Sequence, residues 1–505
     1  MAPDLETRVV ELAAVVPGGR LVGDGAAGVV GIAYDSRLVE PGYLFAALPG
    51  AYADGHGFVA SAVVRGAAAL LVERELPVAT AQIVVPDSRA ALAAVAAAFY
   101  REPSRHIGVI GITGTDGKTT TSFLVDAILR TAGLTTGLIG TVAIRVGDEE
   151  DVHATRQTTP ESADIQRLLR LMVDRGIPWA TLEATSHGLA MHRLDGTRFR
   201  VGAVTNVTRE HLDYHATVEN YRRAKGILFE RVAESGGTAV VNLDDPGAQA
   251  MVDFARVANL LTYSAEGRPA DLRAVDVVSA GDGSRFLLDC AGRGVVPVEL
   301  PLIGGFNVAN ALCAAGVGFA VGLEPEAIAV GLRDAPSVPG RMALVREGQP
   351  FAVVVDYAHT PEAMAKVLPL LRGLFPDGQL IVVFGSAGER DVEKRPRQGE
   401  VAGRLADVSV VTSEDPRFED PDAVIDQIAR GAIAAGAREG DDLFRFTDRR
   451  DALRHALGIA KPGDCVLLAG KGHETSIIWG GEKRPWDEAA VARSLLWDLG
   501  YGVDR

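Results

Sequence analysis

Ile107-Gly-Val-Ile-Gly-Ile-Thr-Gly-Thr-Asp-Gly-Lys-Thr-Thr-Thr-Ser-Phe-Leu-Val-Asp-Ala-Ile-Leu-Arg130 is the stretch on which the fold turns. Ile107 to Ile112 is a short apolar run rich in β-branched residues, which predicts a buried strand. Thr113 to Gly117 is a glycine-containing turn. Lys118 to Arg130 carries apolar residues at helical spacing and stops near Gly133, as a helix does. A strand, a glycine turn and Lys-Thr at a helix start form a cradle for phosphate. Backbone N–H groups and the helix dipole favour the anion there. Lys118 is placed to reach the β- and γ-phosphates of a nucleotide, and Thr119 to ligate Mg²⁺. The fit to G-x-x-x-x-G-K-[ST] is imperfect, because Ile112 occupies the first glycine position. The competing reading is a plain strand-to-helix turn with a solvated lysine.

Outward from this stretch the same alternation recurs. Trp179–Glu183, Val201–Thr205 and Thr238–Asn242 read as buried strands, with helices over Ser162–Asp174 and Val218–Val232 between them. A more β-rich segment lies between about Leu260 and Leu300. A later block, from Pro339-Gly340-Arg341, repeats the pattern with Ala352–Asp356, Leu380–Phe384, Val408–Thr412 and Cys465–Ala469. Strands alternating with helices predict mainly parallel sheets covered on both faces. Ahead of the loop, Gly42–Leu48, Ala68–Glu73 and Gln82–Val85 read as strands and Ser88–Tyr100 as a helix; Glu102-Pro-Ser reads as a linker. The expectation is an α/β chain of three domains: an N-terminal one at 1–105, a central P-loop domain at 106–336, and a Rossmann-like C-terminal one at 337–505. In such sheets ligands gather at the C-terminal ends of strands, and nearly every polar motif here follows one.

The chain has 505 residues, 47% hydrophobic and 23% charged, enough for several cores. Its formal net charge of −15 argues against a broad grip on nucleic acid or an anionic membrane. An anionic ligand stays possible, because local Lys, Arg and Mg²⁺ reverse the sign inside a cleft. Cys290, Cys313 and Cys465 are isolated, which speaks against a thiolate zinc site or a disulfide framework. Met1-Ala-Pro-Asp-Leu-Glu6 lacks the basic region and apolar run of a signal peptide. The most apolar stretch, Ala90–Phe99, is shorter than the roughly 20 residues of a membrane span. A reducing cytoplasm, no nucleic-acid partner and no membrane insertion are expected.

Further motifs stand in a fixed order: Thr158-Thr-Pro-Glu161, Glu183-Ala-Thr-Ser-His-Gly-Leu189, Asn206-Val-Thr-Arg-Glu-His-Leu-Asp-Tyr-His215, Lys225, Gly305-Phe-Asn-Val-Ala-Asn310, Asp356-Tyr-Ala-His-Thr-Pro361 and Gly470-Lys-Gly-His-Glu474. With the loop Gly114-Thr-Asp-Gly-Lys-Thr-Thr120 they resemble the Mur ligases over nearly the whole chain, and among these the enzymes that extend UDP-N-acetylmuramoyl-dipeptide to a tripeptide. The resemblance implies ATP-dependent activation of a carboxylate as an acyl phosphate, then attack by an amine to form an amide, in peptidoglycan synthesis. Such chemistry gathers phosphate and carboxylate oxygens together, so cations must neutralise them.

The resemblance also implies roles. Lys118, Glu183, His211 and Lys225 would be catalytic. Gly114, Thr115, Asp116, Gly117, Lys118, Thr119 and Thr120 would bind ATP, with Asn307, Asn310, Arg341, Asp356 and His359. Thr119, Glu183, His211 and, if carbamylated, Lys225 would surround Mg²⁺. Asp35, Ser36, Arg37, Thr158, Thr159, Thr185 and Arg193 would meet the UDP-sugar-peptide. Met191 stands where the family often has a glutamine. Arg390, Glu414, Asp415, Arg417, Gly470 and Glu474 would hold the amino acid. Blander readings stand beside several of these. Glu183 also reads as a loop carboxylate, and Lys225 as a solvated charge on an amphipathic helix. Asn307 and Asn310 also read as helix-start caps, and Asp35-Ser-Arg37 as a common turn. The spacing of His211 and His215 suits an i, i+4 zinc pair, but no third ligand of the right type is evident, and His215 reads as structural.

Within the family the enzymes adding meso-diaminopimelate usually carry Asp-Asn-Pro-Arg where this chain has Glu414-Asp-Pro-Arg417. Arg417 suits a carboxylate held bidentately, and Arg390 the α-carboxylate. Asp415, accepting only while ionised, suits the ammonium of lysine or ornithine better. Diaminopimelate is the favoured substrate, with L-lysine or L-ornithine close behind. The expected partners are UDP-MurNAc-dipeptide, ATP and a diamino acid, and a monomer is expected. Alternatives are a folylpolyglutamate synthase-like ligase, an amidotransferase subunit of the same superfamily and a non-catalytic nucleotide-dependent binding protein. The Asp35 block and Thr158-Thr-Pro oppose the first. The absence of a cysteine ribbon opposes the second. The joint presence of Lys118, Thr119, Glu183, His211 and Lys225 opposes the third.

Overall fold

The computed structural model describes residues 5–50, 53–151, 157–256 and 259–502. They form two compact units, one of residues 1–276, 286–298 and 308–335, the other of 277–285, 299–307 and 336–505.

In the first unit, an N-terminal sheet has five strands in the order Arg20–Val22, Ala81–Val84, Ala69–Val72, Tyr43–Ala46, Gly31–Ala33. All neighbours but the first pair run parallel. Helix Ser88–Phe99, capped by Asp87 on the amides of Arg89 and Ala90, buries its alanine-rich face against this sheet. The central sheet has the order Thr136–Ile139, Trp179–Glu183, Gly108–Thr113, Val201–Val204, Thr238–Asn242, Asn259–Ser264 in its parallel part. It continues on one side into the hairpin Ile144–Val146 and Glu149–Asp151, and on the other into the start of Leu272–Ala280, which also pairs parallel. Both faces of its middle strands are buried, which is why these strands read as unbroken Val/Ile/Leu runs without alternation.

Register positions the chemistry. Glu183 pairs with Ile112, and Val204 with Thr113, so three strands end side by side where the loop begins. Helix Lys118–Thr131 follows, with Gly117 as its N-cap at φ 84°. A Cβ on Gly114, at φ 151°, would meet Thr205 Oγ1 at 1.9 Å, and one on Gly117 would meet Asn310 Oδ1 at 2.3 Å. Both positions therefore need glycine for space as well as for φ.

The second unit has a six-stranded sheet in the order Ala343–Leu344, Ala352–Asp356, Cys465–Ala469, Leu380–Phe384, Val408–Thr412, Leu443–Phe446. All pairs but the first are parallel. Chain order and spatial order part company at Cys465–Ala469, which lies between strands from earlier in the chain. That is the switch point at which doubly wound sheets open a crevice beyond their C-terminal ends. Tyr357–Thr360, Gly470–Glu474, Gly385–Asp391 and Ser413–Asp420 all leave from those ends.

Predicted and observed bounds differ by a residue or two at most elements; helix Val218–Glu234, for example, runs two residues beyond the expected end. None of the helices among the described residues is long and apolar enough to cross a membrane.

Candidate active site

The first unit gathers most of the expected phosphate-end residues around Gly114. Lys118 Nζ donates to the carbonyls of Gly114 (2.9 Å) and Thr115 (2.8 Å). Lys225 Nζ donates to the same Gly114 carbonyl at 2.6 Å and lies 4.6 Å from the Tyr221 ring centroid. Lys225 is 1% exposed. The solvated-charge reading of this lysine is thus overturned: its amphipathic helix turns it inward, onto the loop. Burial holds its amine well below the ordinary lysine range, and nearby Lys118 adds repulsion. Near neutral pH the amine therefore carries a lone pair more readily than a surface lysine does.

Glu183 ends its strand fully buried. Its Oε2 accepts from Thr119 Oγ1 (3.0 Å) and Thr141 Oγ1 (2.8 Å), and its Oε1 from the Thr141 amide (2.9 Å). A solvated loop carboxylate this is not: the side chain is buried against Thr119 and Thr141. Thr141 is the residue that sequence reasoning missed. Its Oγ1 also meets Thr158 Oγ1 at 3.0 Å, accepting there. The available signal was positional: Gly140-Thr141 follows the C-terminal end of Thr136–Ile139, as Glu183 closes its own strand. Thr205 and Asn206 were missed in this role too. Thr205 Oγ1 donates to the Asp116 carbonyl (2.6 Å), and Asn206 Oδ1 accepts from the Asp116 amide (2.9 Å). Together they clamp the loop from the neighbouring strand end.

Beyond Glu183, Thr159 Oγ1 donates to the Glu183 carbonyl (2.7 Å) and meets Thr185 Oγ1 at 2.9 Å. Thr185 caps helix Ser186–Ala190. Arg193 donates to the Thr159 carbonyl and pairs with Glu161, each at 3.0 Å, and Arg89 reaches the same Glu161 at 3.2 Å. Thr120 is buried in the first turn of helix Lys118–Thr131. His211 opens the short helix Leu212–His215 at φ 54°, its ring 4.7 Å from His187 and 6.4 Å from Tyr221. Tyr221 in turn meets Thr115 Oγ1 at 3.0 Å, which links His211 to the loop. Burial, then His187 and His211, hold His215 down to about 4. Among the described residues no group of three or more His, Cys, Asp or Glu is arranged to hold a metal. Asp35 accepts from the Arg37 amide (2.9 Å) and pairs with the exposed Arg37 guanidinium (2.6 Å), so this pair closes its own turn, beside buried Ser36.

Asn307 and Asn310 are buried near the start of helix Gly305–Val321; Asn310 faces Gly117, and Asn307, in the first turn, donates back to the Ile303 carbonyl at 2.8 Å. The alternative, that they stabilise the helix start, is met by Asn307.

In the second unit, Asp356 ends its strand and accepts from the amides of Met342 (2.8 Å) and Ala358 (2.9 Å); burial raises its carboxyl above the ordinary range. The Arg341 guanidinium carbon lies 5.1 Å from the Tyr357 ring centroid, and its Nε is buried with no hydrogen-bond partner. His359 Nδ1 lies 3.0 Å from the Tyr357 carbonyl, and burial lowers the imidazole. Asp415 is not bare. Its Oδ1 accepts from Lys471 Nζ (3.0 Å) and the Ile478 amide (2.8 Å), and Lys471, 0% exposed, also holds Glu474 at 2.6 Å. Lys471 is the further residue the sequence reading passed over, although it sits inside the Gly470–Glu474 motif. Arg417 adopts φ 54° and its Nε is buried without a partner. Glu414 is 6% exposed with Oε2 unpartnered. Arg390 is exposed on the turn after Leu380–Phe384.

Two loops of this unit are stapled together. The Gly388 amide donates to the Asp415 carbonyl at 2.8 Å. Fully buried Arg395 grips Glu419 with both terminal nitrogens (2.8 and 3.0 Å), and Glu419 also accepts from the Glu389 amide. The turn carrying Arg390 and the turn carrying Arg417 are thus held at fixed spacing.

Family models match all three blocks: a Mur ligase family catalytic domain over residues 28–100, a Mur ligase middle domain over 112–318 and a Mur ligase glutamate ligase domain over 340–472. A UDP-N-acetylmuramyl-tripeptide synthetase of Roseiflexus sp. (strain RS-1) is 48% identical over 491 residues, covering 94% of this chain and 96% of its own. A UDP-N-acetylmuramoyl-L-alanyl-D-glutamate–2,6-diaminopimelate ligase of Geobacillus kaustophilus (strain HTA426) is 42% identical, with 94% and 96% covered. Among solved structures, one of a UDP-N-acetylmuramoyl-L-alanyl-D-glutamate–2,6-diaminopimelate ligase superposes with a TM-score of 0.69 at 31% identity, over 98% of this chain and all of that one. With a phosphate loop backed by a buried acid and a buried lysine, and with relatives matched along almost its entire length, the chain belongs to the Mur ligase family of ATP-dependent, amide-forming ligases.

Proposed function

We propose that this enzyme joins meso-diaminopimelate to UDP-N-acetylmuramoyl-L-alanyl-D-glutamate through an acyl phosphate, with ATP as co-substrate, as a cytoplasmic monomer. The observation that carries the choice of amino acid is Arg417, a half-buried side chain two residues after Asp415 whose Nε is buried with no hydrogen-bond partner. A buried donor left unpartnered is costly, and the distal carboxylate of diaminopimelate supplies an acceptor. The names borne by relatives such as the Geobacillus ligase support the same reading. The pairing of Asp415 with Lys471 removes the main objection to it, since a carboxylate already neutralised repels a second one less.

In this reading residues 1–105 bind the UDP moiety, 106–336 bind ATP and 337–505 bind the amino acid. Gly114 to Thr120 cradle the phosphates, and Asn307, Asn310, Arg341, Asp356 and His359 serve the rest of ATP. Thr158, Thr159, Thr185 and Arg193 meet the sugar-peptide, with Asp35, Ser36 and Arg37 at its UDP end. Arg390 takes the α-carboxylate, and Glu414, Gly470 and Glu474 the ammonium side. The donor set around Glu183 fits Mg²⁺: a buried carboxylate with the Thr119 hydroxyl on it offers hard oxygen ligands. Glu183, Thr119, His211 and Lys225, once carbamylated, would surround the ion, which supplies charge neutralisation for the gathered oxygens. The buried, low-pKa amine of Lys225 is suited to taking up CO₂.

Lysine or ornithine is the second reading, favoured by the carboxylate of Asp415 itself. ATP-dependent incorporation of each amino acid into UDP-MurNAc-dipeptide separates the two. Diaminopimelate should be used at least about tenfold better, some 1.4 kcal/mol in the transition state. A tenfold preference for lysine or ornithine overturns that choice. Phosphate release that ignores both the dipeptide and the amino acid overturns the ligase reading.

A further inference from the structure

Leu380–Phe384 and Val408–Thr412 lie side by side in parallel, with Phe384 opposite Val411. The turns Gly385–Asp391 and Ser413–Asp420 therefore leave the sheet as neighbours, and Arg390 rides on one, Arg417 on the other. Register fixes only where the turns begin; contact between them fixes the rest. A Cβ on Gly388 would stand 2.1 Å from the Pro416 carbonyl oxygen, so the two backbones touch. Each turn also holds a non-glycine residue in the left-handed region, Glu389 and Arg417, both at φ 54°. Such backbone persists only where its surroundings over-determine it. For Arg417 they are the second strand pair of this unit: its amide donates to the Ile478 carbonyl (3.0 Å), and its carbonyl accepts from the Gly480 amide (2.7 Å). For Glu389 the holder is the Glu419 carboxylate, and Arg395 holds that in turn. Fully buried Arg395 donates from one terminal nitrogen to Glu419 (2.8 Å) and Gln427 (2.9 Å). From the other it donates to Glu419 (3.0 Å) and to the Ala387 carbonyl (3.2 Å). One guanidinium thus grips both turns. With the Glu389 amide it holds the Glu419 carboxyl down to about 2, so the pair stays ionised at neutral pH. Buried ion pairs add little stability, since apolar side chains of similar volume often do as well. What the planar fork adds is fixed distance and direction.

We propose that Arg395 is a positioning residue for substrate length: by locking the two turns it sets the separation of Arg390 and Arg417, and so selects a diamino acid whose two carboxylates span that separation. The proposal rests on the reading above, in which Arg390 takes the α-carboxylate and Arg417 the distal one. Two turns free to slide past each other would close on a shorter dicarboxylate as readily as on diaminopimelate. Locked turns cannot follow it, and a misplacement of about 1 Å costs on the order of 100-fold in rate. Neither Arg395 nor Glu419 touches the amino acid in this scheme; both act through the backbone of the turns.

Arg395→Met tests this, because it fills the space without the fork. By kcat/KM the wild type should use diaminopimelate at least about tenfold better than its homologue with one methylene fewer between the two stereocentres. In the variant that ratio should fall below about threefold, through loss on diaminopimelate. Lysine brings no distal carboxylate, so the variant should use it within about threefold of wild type, which also reports a folded enzyme. Glu419→Gln breaks the same lock from its half-buried side and should narrow the ratio likewise, so the test survives if Arg395→Met does not fold. A ratio that stays above about threefold in the folded variants, a wild-type ratio below about tenfold, or equal losses on lysine and diaminopimelate overturns the proposal. A wild type that prefers lysine to diaminopimelate by tenfold or more overturns the choice of amino acid above, and this inference with it.

Discussion

The two strand-end clusters solve the problem of buried charge in opposite ways. Around Gly114 the fold gives partners to its charged groups, although hydroxyls such as Thr113 Oγ1 and Thr121 Oγ1 stay unpartnered. Glu183 accepts three hydrogen bonds from Thr119 and Thr141, and Lys118 and Lys225 both donate to loop carbonyls. Around Glu414 the fold leaves work undone. Arg341 Nε, Arg417 Nε and Glu414 Oε2 are buried with no partner. The difference teaches what each cluster is for. In the proposed reading, groups already held by backbone and hydroxyls are pre-organised for a ligand that recurs in every turnover, the nucleotide phosphates. Unsatisfied groups would then mark where selection among substrates takes place, because only the right substrate completes them.

The comparison breaks first at Lys225. If its amine is functional and not a structural plug, Lys225→Met should lose about a thousandfold or more of the rate, some 4 kcal/mol. Stability should change by less than about 2 kcal/mol, since an apolar side chain of similar volume replaces a desolvated charge. Steady-state ADP release beside thermal unfolding measures both. Activity within tenfold of wild type would make the buried lysine a packing feature. Addition of ¹³C-labelled bicarbonate should give a carbamate resonance in the wild type that the variant lacks.

Arg417 sharpens the other side. Arg417→Ala should lower kcat/KM for diaminopimelate about 100-fold, near 3 kcal/mol, as loss of a charge-assisted pair does. The same variant should use lysine within about threefold of its wild-type rate, because lysine brings no distal carboxylate. Equal losses on both amino acids would mean that Arg417 serves the loop and not the substrate.

These residues also show how far sequence carries. The phosphate loop was legible because its signal is local: strand, glycine turn and Lys-Thr lie within a dozen positions, and each is tied to backbone geometry. Parallel sheets were legible for a related reason, since strands buried on both faces read as unbroken apolar runs. Pairing was not legible. Thr141 meets Glu183 from 42 residues away, and its place after a strand end does not say which residue it meets. The helix of Lys225 is amphipathic, and the alternation of its residues does not say whether a lysine at its edge faces water or the Gly114 carbonyl. Only the packing of Val218–Glu234 on the loop decides that.

Thr141 carries a smaller prediction. Thr141→Val deletes the hydroxyl that meets Glu183 Oε2 and Thr158 but keeps the amide that meets Oε1. The rate should fall about tenfold and stability by about 1 kcal/mol, the worth of a hydrogen bond to a charged group with its partner partly retained. No change in rate would show that Thr119 alone orients the acid.

The smallest effect is expected at Asp415, the residue that made the amino acid uncertain. On sequence it is a bare carboxylate where diaminopimelate enzymes of the family usually have an amide, and it should repel a distal carboxylate. In the fold its charge is spent on Lys471, which is completely buried, and its Oδ1 also takes the Ile478 amide. Asp415→Asn keeps an oxygen for that amide and leaves Glu474 on Lys471. The net charge of the cluster rises by one, but the new amide is no closer to being a free donor than the old carboxylate was to being a free charge. Selectivity between diaminopimelate and lysine, measured as a ratio of kcat/KM, should therefore shift less than about fivefold, under 1 kcal/mol. A swing of tenfold or more towards diaminopimelate would mean that Lys471 does not neutralise Asp415 when substrate is bound. Asp415 would then belong with Arg417 and Glu414 among the groups that wait for a ligand, and the division between the satisfied and unsatisfied clusters would have to be drawn through the middle of the Glu414–Arg417 turn.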